Sequence, residues 1–442
     1  MVPFRDALRT WFAISLQTFG GPAGQIAVMQ RVLVEEKRWI GQQRFLHALG
    51  YCTLLPGPEA QQLAVYVGWL LGGIRGGLAA GTLFVLPGLV SLLALSALYV
   101  GAGDTTAVTV LFAGLAPAVV AVVAQAVVRL SRRALADRVL VAVAVASFLA
   151  LAVLAVPFPL VVAGGAAAGW GLRRRLAARP AHGTGATAPG PAPVVPDDAL
   201  HTGHHSRRRT AAILVGGVAL WLAPLAVVVA LTGADSAPSR QGVFFSGAAL
   251  VTFGGAYAVL SYVAQQAVEV YGWLTPGEMA HGLALAETTP GPLIMVVQFV
   301  AFVGAYRDPG GLEPWVAAVL GALLTTWVTF VPSFLFIFLG APSVERLRGN
   351  RTLSAALAGI TAAVVGVVAN LGLYLAVHTL FGATVEHDRG LLHVVLPQLS
   401  SVRPAAVAIA VAAAVMTSWV GWSVPRTLAA CVVLGAAVTL LG

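Results

Sequence analysis

Long apolar runs dominate the chain and are separated by short polar or arginine-containing stretches. Six runs come before residue 173, near residues 10–30, 45–73, 78–100, 106–129, 139–156 and 159–172. A seventh covers residues 211–231, and six more follow that match the first six. Because roughly 20 apolar residues cross a bilayer core, the pattern predicts about thirteen membrane segments. The count falls to ten or twelve if 45–73 is a re-entrant hairpin or the short run 159–172 does not cross.

Composition assigns these runs to a membrane and not to a soluble core. Hydrophobic residues make up 58% of the 442 residues and charged residues only 10%, whereas soluble domains carry about 25% charged residues. Cys52 and Cys431 stand far apart in apolar runs without a CxxC motif, so neither a disulfide nor a metal site is expected. The sequence therefore predicts an all-α polytopic protein in a lipid bilayer, without a cofactor.

An internal repeat is the most informative feature of the chain. Three landmarks recur at an offset of 234 residues: the motif LQTFGG at 16–21 with LVTFGG at 250–255, Trp39 with Trp273, and Pro-Gly-Pro at 56–58 with 290–292. The offset then becomes 245, which pairs Pro87 with Pro332, Gly114 with Gly359, and Ala124-Gln125 with Ala369-Asn370. One insertion near residues 307–314 of the second half explains the change. Two related halves are predicted.

Loop charge indicates that the halves have opposite orientations. Residues 101–105 contain no basic residue, whereas the loop after the equivalent run carries Arg346, Arg348 and Arg351. Basic residues collect in cytoplasmic loops, so equivalent loops lie on opposite sides of the membrane. The pattern predicts two inverted-topology helical repeats with broken helices, a plan that many secondary transporters share.

The repeats leave a middle region that belongs to neither half. The prediction is an N-terminal repeat over 1–172, a linker over 173–209, a joining transmembrane helix over 210–232 and an inverted C-terminal repeat over 240–442. The linker holds seven arginines against two aspartates and is rich in Pro, Gly, Ala and His, so it is expected to be disordered and cytoplasmic. Loop arginines of this kind account for the net charge of +9 without nucleic-acid binding.

Two helix interruptions mark each half. The first is the Phe-Gly-Gly motif at 19–21 and 253–255, and the second is the Pro-Gly-Pro triplet. Proline removes a backbone donor and clashes with the preceding turn, so each triplet is expected to break its helix. Broken helices in a membrane line cavities or are buried in protein, and their N-termini attract anions. Paired breaks predict a transport site, although simple kinks for packing would give the same pattern.

Two acidic residues, Glu59 and Glu287, lie inside apolar runs and flank the triplets. An intramembrane carboxylate is costly and is therefore a functional candidate. Glu59 follows Pro58 in the first turn of the next helix, where it either compensates the helix dipole or couples transport to protons. Glu287 precedes its own triplet by three residues, so the two acids are not equivalent in the repeat. The halves are expected to do different jobs.

Polar residues around the breaks supply candidate ligands for an oxyanion. The amides of Gln25, Gln61, Gln62 and Gln298 can donate hydrogen bonds. Arg31, Arg44 and Arg75 border the broken segments of the first half, and arginine binds tetrahedral oxyanions well. The alternative for these arginines is an interfacial position in which the side chains reach toward water.

The motifs resemble those of the chromate transporter family over nearly the whole chain outside the linker. They are FGGPAGQIAVM at Phe19–Met29, YCTLLPGPEAQQLAVYVGW at Tyr51–Trp69, VTFGGAYAVLSYV at Val251–Val263 and ETTPGPL at Glu287–Leu293. The length resembles the long-chain form with two repeats. The resemblance implies export of chromate from the cytoplasm across a bacterial inner membrane, chromate resistance, and sulfate as a competing dianion. A homodimer is one assembly that it leaves open.

The resemblance also implies site residues in both halves. Residues of the first half that match the family signature are Gly20, Gly21, Pro22, Pro56, Gly57, Pro58, Glu59 and Gln61. Those of the second half are Gly254, Gly255, Pro290, Gly291 and Pro292. The second half carries Ala256 where the first has a proline, and Leu293-Ile294-Met295 where the first has Glu59-Ala60-Gln61.

An enzyme is the rival class, and the sequence disfavours it. The sole lysine, Lys37, is followed by arginine, so no phosphate-binding loop is present, and HExxH and GxSxG motifs are missing. The string GAGD at 101–104 matches an intramembrane protease motif but lacks a second intramembrane aspartate to share the proton. The sequence therefore predicts a secondary transporter driven by protons or anion exchange. A carrier for sulfate or another oxyanion and a passive anion channel are the alternatives.

Overall fold

A computed structural model describes residues 2–19, 21–103, 105–176, 192–196, 207–253, 255–340, 351–389 and 392–441 of the chain. Almost all of the secondary structure in these residues is helical, as the apolar pattern predicts. In the first half and the joining region the helices are α1 Phe4–Ser15, α2 Gly21–Gln30, α3 Gln42–Cys52, α4 Glu59–Ala102, α5 Thr106–Ala134, α6 Arg138–Ala152, α7 Phe158–Gly171, α8 Arg173–Leu176 and α9 Arg207–Thr232.

The second half repeats this succession of helices. They are α10 Ala237–Val251, α11 Ala256–Gln265, α12 Pro276–Thr288, α13 Val296–Arg307, α14 Pro314–Gly340, α15 Arg351–Leu380, α16 Pro404–Ser418 and α17 Val424–Leu441. A short antiparallel hairpin, β1 Thr384–Arg389 with β2 Leu392–Pro397, interrupts the helical pattern. The sequence pattern does not predict this hairpin, whose residues follow the apolar helix α15.

Five helices among the described residues are long and apolar enough to cross a membrane. They are residues 59–102, which comprise two helices joined at Gly72 and Gly73, and residues 106–134, 207–232, 314–340 and 352–380, with mean hydropathies between 2.0 and 2.5. Five shorter apolar helices of 10–17 residues accompany them. This composition confirms the predicted all-α membrane protein.

The two N-terminal apolar runs of each half are broken, as their interruptions predict. Run 10–30 becomes α1 and α2, and run 45–73 becomes α3 and the first part of α4, which ends at a kink at Gly72 and Gly73. An 11-residue helix such as α3 is about 16 Å long at 1.5 Å per residue, roughly half of a 30 Å hydrocarbon core. These runs therefore consist of half-length helices joined at the breaks.

The repeat is visible in individual hydrogen bonds. A π-helix follows α2 at Arg31–Glu36, and another follows α11 at Gln266–Val270. Three residues after the end of each π-helix, a tryptophan amide donates back to a carbonyl within it: Trp39 N to Leu33 O at 2.8 Å and Trp273 N to Ala267 O at 2.7 Å. The bonds match residue by residue at the offset of 234, which confirms the register read from the sequence.

The described residues group into two compact units, and each unit takes segments from both repeats. The first comprises residues 1–94, 179–256 and 289–350, and the second comprises 95–178, 257–288 and 351–442. The sequence repeats, 1–172 and 240–442, therefore do not coincide with the compact units, because each repeat contributes segments to both. The compact units describe which segments pack together.

The first unit has a core built by α1, α3, α4 and the end of α14. Trp11, Phe45, Tyr66, Phe84 and Ile337 are fully buried there. The joining helix α9 packs on α14, and the Trp221 indole donates to Val328 O at 3.1 Å. The predicted joining helix is therefore part of the first unit.

Part of the predicted linker is ordered against the first unit. Val195 forms a parallel bridge with Ile40 and is buried, and its amide donates to Trp39 O at 3.0 Å. The prediction of disorder for 173–209 is therefore wrong for residues 192–196, where Val195 has an apolar side chain to bury, and for 173–176 and 207–209, which are helical. Residues 177–191 and 197–206 lie outside the described part of the chain.

Glycines permit close helix contacts in the second unit. Gly165 on α7 faces α15, where an added methyl group would lie 2.7 Å from the Ala363 side chain and 3.0 Å from Gly359 O. Small residues at such positions let helix backbones approach, which drives association in membranes where the hydrophobic effect is weak. The adjacent Gly164 is exposed and has no atom within 4 Å of the same methyl position.

Gly165→Val should destabilise the protein by about 1–3 kcal/mol, because the new side chain overpacks the contact between α7 and α15. Gly164→Val is the matched control, since it adds the same side chain on the open face of the same helix. Thermal unfolding of the purified protein in detergent measures the difference. Equal midpoints for the two variants would contradict the close contact.

Candidate functional site: the four helix breaks

The first unit contains the described residues of all four helix breaks. The Phe-Gly-Gly breaks end at Gly21 and Gly255, which have positive φ angles of 82° and 99°. Gly20 and Gly254, the other predicted glycines of these motifs, lie outside the described residues. Pro22 is the second residue of α2, where its missing amide costs no hydrogen bond.

Each Pro-Gly-Pro turn is bonded to the Phe-Gly-Gly break of the opposite half. Gly57 N donates to Thr252 O at 2.8 Å, and Gly291 N donates to Thr18 O at 2.9 Å. The flanking prolines have no amide hydrogen, so the central glycine supplies the one backbone donor of each triplet. The two bonds are equivalent in the repeat and run in opposite senses between the halves.

Only glycine fits at the centre of these turns. Gly57 and Gly291 share a φ of 117°, which L-residues rarely adopt. A methyl group on Gly57 would lie 2.8 Å from Ser333 Oγ, and one on Gly291 would lie 3.0 Å from Gly88 Cα. Gly88 and Ser333 are themselves partners at the offset of 245, so each turn packs against the same point of the other half's long helix.

Two of the predicted glutamines brace the turns. Gln25 is buried and its Nε2 donates to Gly291 O at 2.8 Å, while Gln62 Nε2 donates to Pro56 O at 2.6 Å. A third glutamine of the second half, Gln298, donates through Nε2 to Leu89 O at 3.1 Å. Gln25 and Gln62 thus bond the backbone of the turns, whereas Gln298 bonds to α4.

Gln61 differs from its neighbours. It is fully buried, and neither its Nε2 nor its Oε1 has a hydrogen-bond partner among the described residues. Buried amides are almost always paired, so this side chain is a candidate ligand-binding group at the breaks. It lies in the first turn of α4, two residues after Glu59.

Glu59 is the first residue of α4, as predicted, and it lies beside the break of the second half. A methyl group on Gly255 would be 3.6 Å from Glu59 Oε1. Helical segments also begin at Gly21 and at Leu293, next to the other breaks. Helix N-termini present free amides and a positive dipole end, so the breaks can hold an anion together with a titratable carboxylate.

The predicted arginines lie in three different settings. Arg31 is half-exposed, donates to Gln17 Oε1 at 2.7 Å, and pairs with Glu36 at 3.5 Å. Arg44 is buried in α3. Arg75 is exposed beyond the kink of α4, about 20 Å along the helix from Glu59. Arg31 thus contacts Gln17, the residue before Thr18. Arg75 lies away from the breaks.

Glu287 belongs to the second unit. It is 1% exposed in α12, and its Oε1 accepts a hydrogen bond from the Tyr257 hydroxyl at 2.6 Å. Its Oε2 has no hydrogen-bond partner among the described residues. A carboxylate buried in this way is a candidate for proton binding, and its predicted coupling role stays a prediction.

Sequence reasoning missed three participants in the breaks. Thr18 and Thr252 accept the reciprocal bonds through their carbonyls, and Ser333 faces Gly57. The threonines stand in the repeated TFGG motif, so their equivalence was readable, but a backbone acceptor leaves no chemical signature in the side chain. Ser333 follows Pro332, and the pairing of Pro332 with Pro87 in the repeat is the sequence signal that could have identified it.

Comparison with known proteins adds independent findings. The model of the chromate transporter family matches residues 5–170 and 240–440. A chromate transport protein of Pseudomonas aeruginosa is 35% identical over 82% of this chain and 78% of its own length. One from Cupriavidus metallidurans is 28% identical over 81% and 79%, and a probable chromate transport protein of Synechococcus elongatus is 25% identical over 79% of each chain. No solved structure matches.

Gly57→Ala and Gly291→Ala should each lower the stability of the protein and abolish its transport activity. The substitution forces an unfavourable φ at a cost of about 1–3 kcal/mol and pushes the turn away from its partner in the other half. Gly247→Ala is the control, because Gly247 is an exposed helical glycine with no atom within 4 Å of the new methyl group. Thermal unfolding and vesicle transport measure both effects; tolerance of alanine at 57 or 291 would contradict the tight turns.

Proposed function

The chain belongs to the chromate transporter family, and we propose that it is a secondary transporter that carries chromate out of the cytoplasm. The observation that carries the proposal is the reciprocal joining of the four breaks, which gathers helix N-termini and a buried amide in one unit. Chromate is proposed as the substrate because the relatives are chromate transport proteins. Export from the cytoplasm would account for chromate resistance.

The chemistry of the breaks suits a tetrahedral dianion. Helical segments start at Gly21, Glu59 and Leu293, and their free amides and dipoles favour negative charge. The Gln61 amide adds a buried neutral donor. Neutral donors bind a dianion without trapping it as strongly as a fixed cation would, which suits a carrier that must release its substrate. In this proposal the remaining predicted residues shape the site, and Arg31 and Arg44 attract the anion.

The halves contribute unequally in this proposal. Glu59 and Gln61 of the first half correspond to Leu293 and Met295 of the second. The second half therefore provides backbone and packing around the anion, and the first half provides the amide and the carboxylate. Protonation or release of a proton at Glu59, next to Gly255, would change the charge of the site, which links proton binding to substrate binding.

Alternating access is favoured over a passive channel. Each turn is bonded to the other half, so a displacement of one half would change both breaks together. Such coupling gives two alternative states of one site. Anion exchange in place of proton coupling, and sulfate or another oxyanion in place of chromate, are the competing versions of the proposal.

The proposed setting is the bacterial inner membrane with the 173–209 linker in the cytoplasm. Seven arginines in that linker follow the positive-inside pattern. Either a monomer or a homodimer is compatible with this arrangement, since the reciprocal bonds join two halves of one chain.

Uptake of labelled chromate into inside-out vesicles tests the proposal. An imposed proton gradient should drive uptake by the wild-type protein, and excess sulfate should reduce it. Glu59→Gln should lower gradient-driven uptake by about tenfold or more, because the amide cannot exchange a proton. Glu287→Gln, measured in parallel, shows whether the second carboxylate shares this role.

Glu313→Gln is the matched control for a helix-dipole effect. Glu313 also stands at a helix N-terminus, where its Oε2 accepts from Val316 N at 2.9 Å. It should leave uptake unchanged. Uptake that follows the membrane potential alone would contradict the carrier and favour a channel. Full pH-dependent uptake by Glu59→Gln would contradict proton coupling through this residue.

A further inference from the structure

A row of polar side chains runs along one face of α14. Thr325, Thr329 and Ser333 are spaced by four residues, which places them above one another on a helix. They are buried, with at most 3% of each residue exposed, and none of their hydroxyls has a hydrogen-bond partner among the described residues. The row continues to Gly321, one turn before Thr325.

A glutamine from α10 extends the row. A methyl group on Gly321 would lie 2.8 Å from Gln241 Oε1, so this side chain lies directly against α14. Gln241 is fully buried, and its Oε1 and Nε2 both lack a partner among the described residues. At the other end Ser333 Oγ faces Gly57, in the first Pro-Gly-Pro turn.

The two ends of the row have different surroundings. Arg240, next to Gln241, pairs with Asp308 at 3.2 Å, and both side chains are about half-exposed, at 46% and 56%. The far end reaches the break where α4 begins with Glu59. From Gly321 to Ser333 the helix rises about 18 Å. The row therefore leads from an exposed ion pair to the break through the interior of the first unit.

The repeat provides an internal comparison. At the offset of 245, the positions of Gly321, Thr325, Thr329 and Ser333 correspond to Gly76, Ala80, Phe84 and Gly88, and at 234 Gln241 corresponds to Ala7. The first half folds into equivalent helices without any of the polar groups. Packing of the fold does not require them, so their presence in the second half calls for a functional reason.

Buried polar groups are nearly always paired, either with protein or with ordered water. A hydroxyl both donates and accepts, and a water molecule needs two to four polar partners. Side chains about 6 Å apart along a helix can share waters between them. They are too far apart to surround a single tetrahedral anion, and no cation stands in the row.

We propose that Gln241, Thr325, Thr329 and Ser333 line a hydrated file that conducts protons between the Pro314 end of α14 and the first Pro-Gly-Pro turn. The inference rests on the proposed function, because it supplies the path by which protons reach Glu59. A proton that enters a water at one end displaces another along the hydrogen-bonded chain. The last water gives its proton to a Glu59 carboxylate oxygen, and the water and hydroxyl oxygens are unchanged overall.

Thr325→Val and Thr329→Val test the file, because valine keeps the shape of threonine and removes the hydroxyl. Thr326→Val is the matched control, since the Thr326 hydroxyl already donates to Ala322 O at 2.8 Å and takes no part in the row. Each variant is reconstituted in proteoliposomes containing a pH-sensitive dye. Proton movement coupled to chromate and isotope exchange of chromate without a gradient are both measured.

The two row variants should lose proton-coupled chromate transport by about tenfold, the effect expected from removing one hydrogen-bonded link, and should retain chromate exchange. Unchanged coupling in both variants, equal to that of Thr326→Val, would overturn the proposal. Loss of chromate exchange in the row variants alone would overturn it as well, because the row would then serve the substrate. Absence of chromate movement in the wild-type protein would instead refute the proposed function.

Access to water gives a second measurement that does not depend on transport. In a background with Cys52 and Cys431 replaced by alanine, Thr329→Cys should react with a small charged thiol reagent from the aqueous phase. Thr326→Cys should react at least about tenfold more slowly, because a buried thiol without water access is inert. Equal protection of both cysteines would exclude a hydrated file.

Discussion

Two backbone hydrogen bonds, from Gly57 to Thr252 and from Gly291 to Thr18, hold the centre of the first unit together. A membrane supplies no water to satisfy broken helix backbone, so each break must find its partners within the protein. A Pro-Gly-Pro triplet has a single backbone donor, the glycine amide, and in each triplet it donates to a carbonyl of the opposite half. Neither half can complete its own break, and the gathering of all four breaks in one compact unit follows from this exchange.

The same constraint explains why glycines stand at the turns and why glutamine side chains bond the turn carbonyls. The glycines at the turn centres have a φ of 117°, and long helices pass within contact distance at Gly88 and Ser333. Gln25 and Gln62 satisfy the carbonyls of the turns. With the backbone fixed in this way, the asymmetry between the halves lies in side chains such as Glu59 and Gln61, which the second half replaces with Leu293 and Met295.

Much of this arrangement could be predicted from the sequence. The repeat offset of 234, the broken helices and the start of α4 at Glu59 were all readable, because proline and glycine act locally on the backbone. The reciprocal bonds were not readable, since Thr18 and Thr252 contribute only carbonyl oxygens. The position of Arg75 in the sequence predicts a place beside the breaks, but a helix of about 20 Å separates it from them. The hairpin at 384–397 and the ordered valines at 194–195 depend on tertiary contacts that no local pattern reveals.

Hydrogen–deuterium exchange with and without chromate tests the location of the site most directly. If the four breaks form one site as proposed, chromate should protect backbone amides near residues 18–22, 57–62, 252–256 and 291–296 together. Sulfate should give the same pattern at higher concentration. Protection confined to one half, or to segments away from the breaks, would contradict a site built from all four.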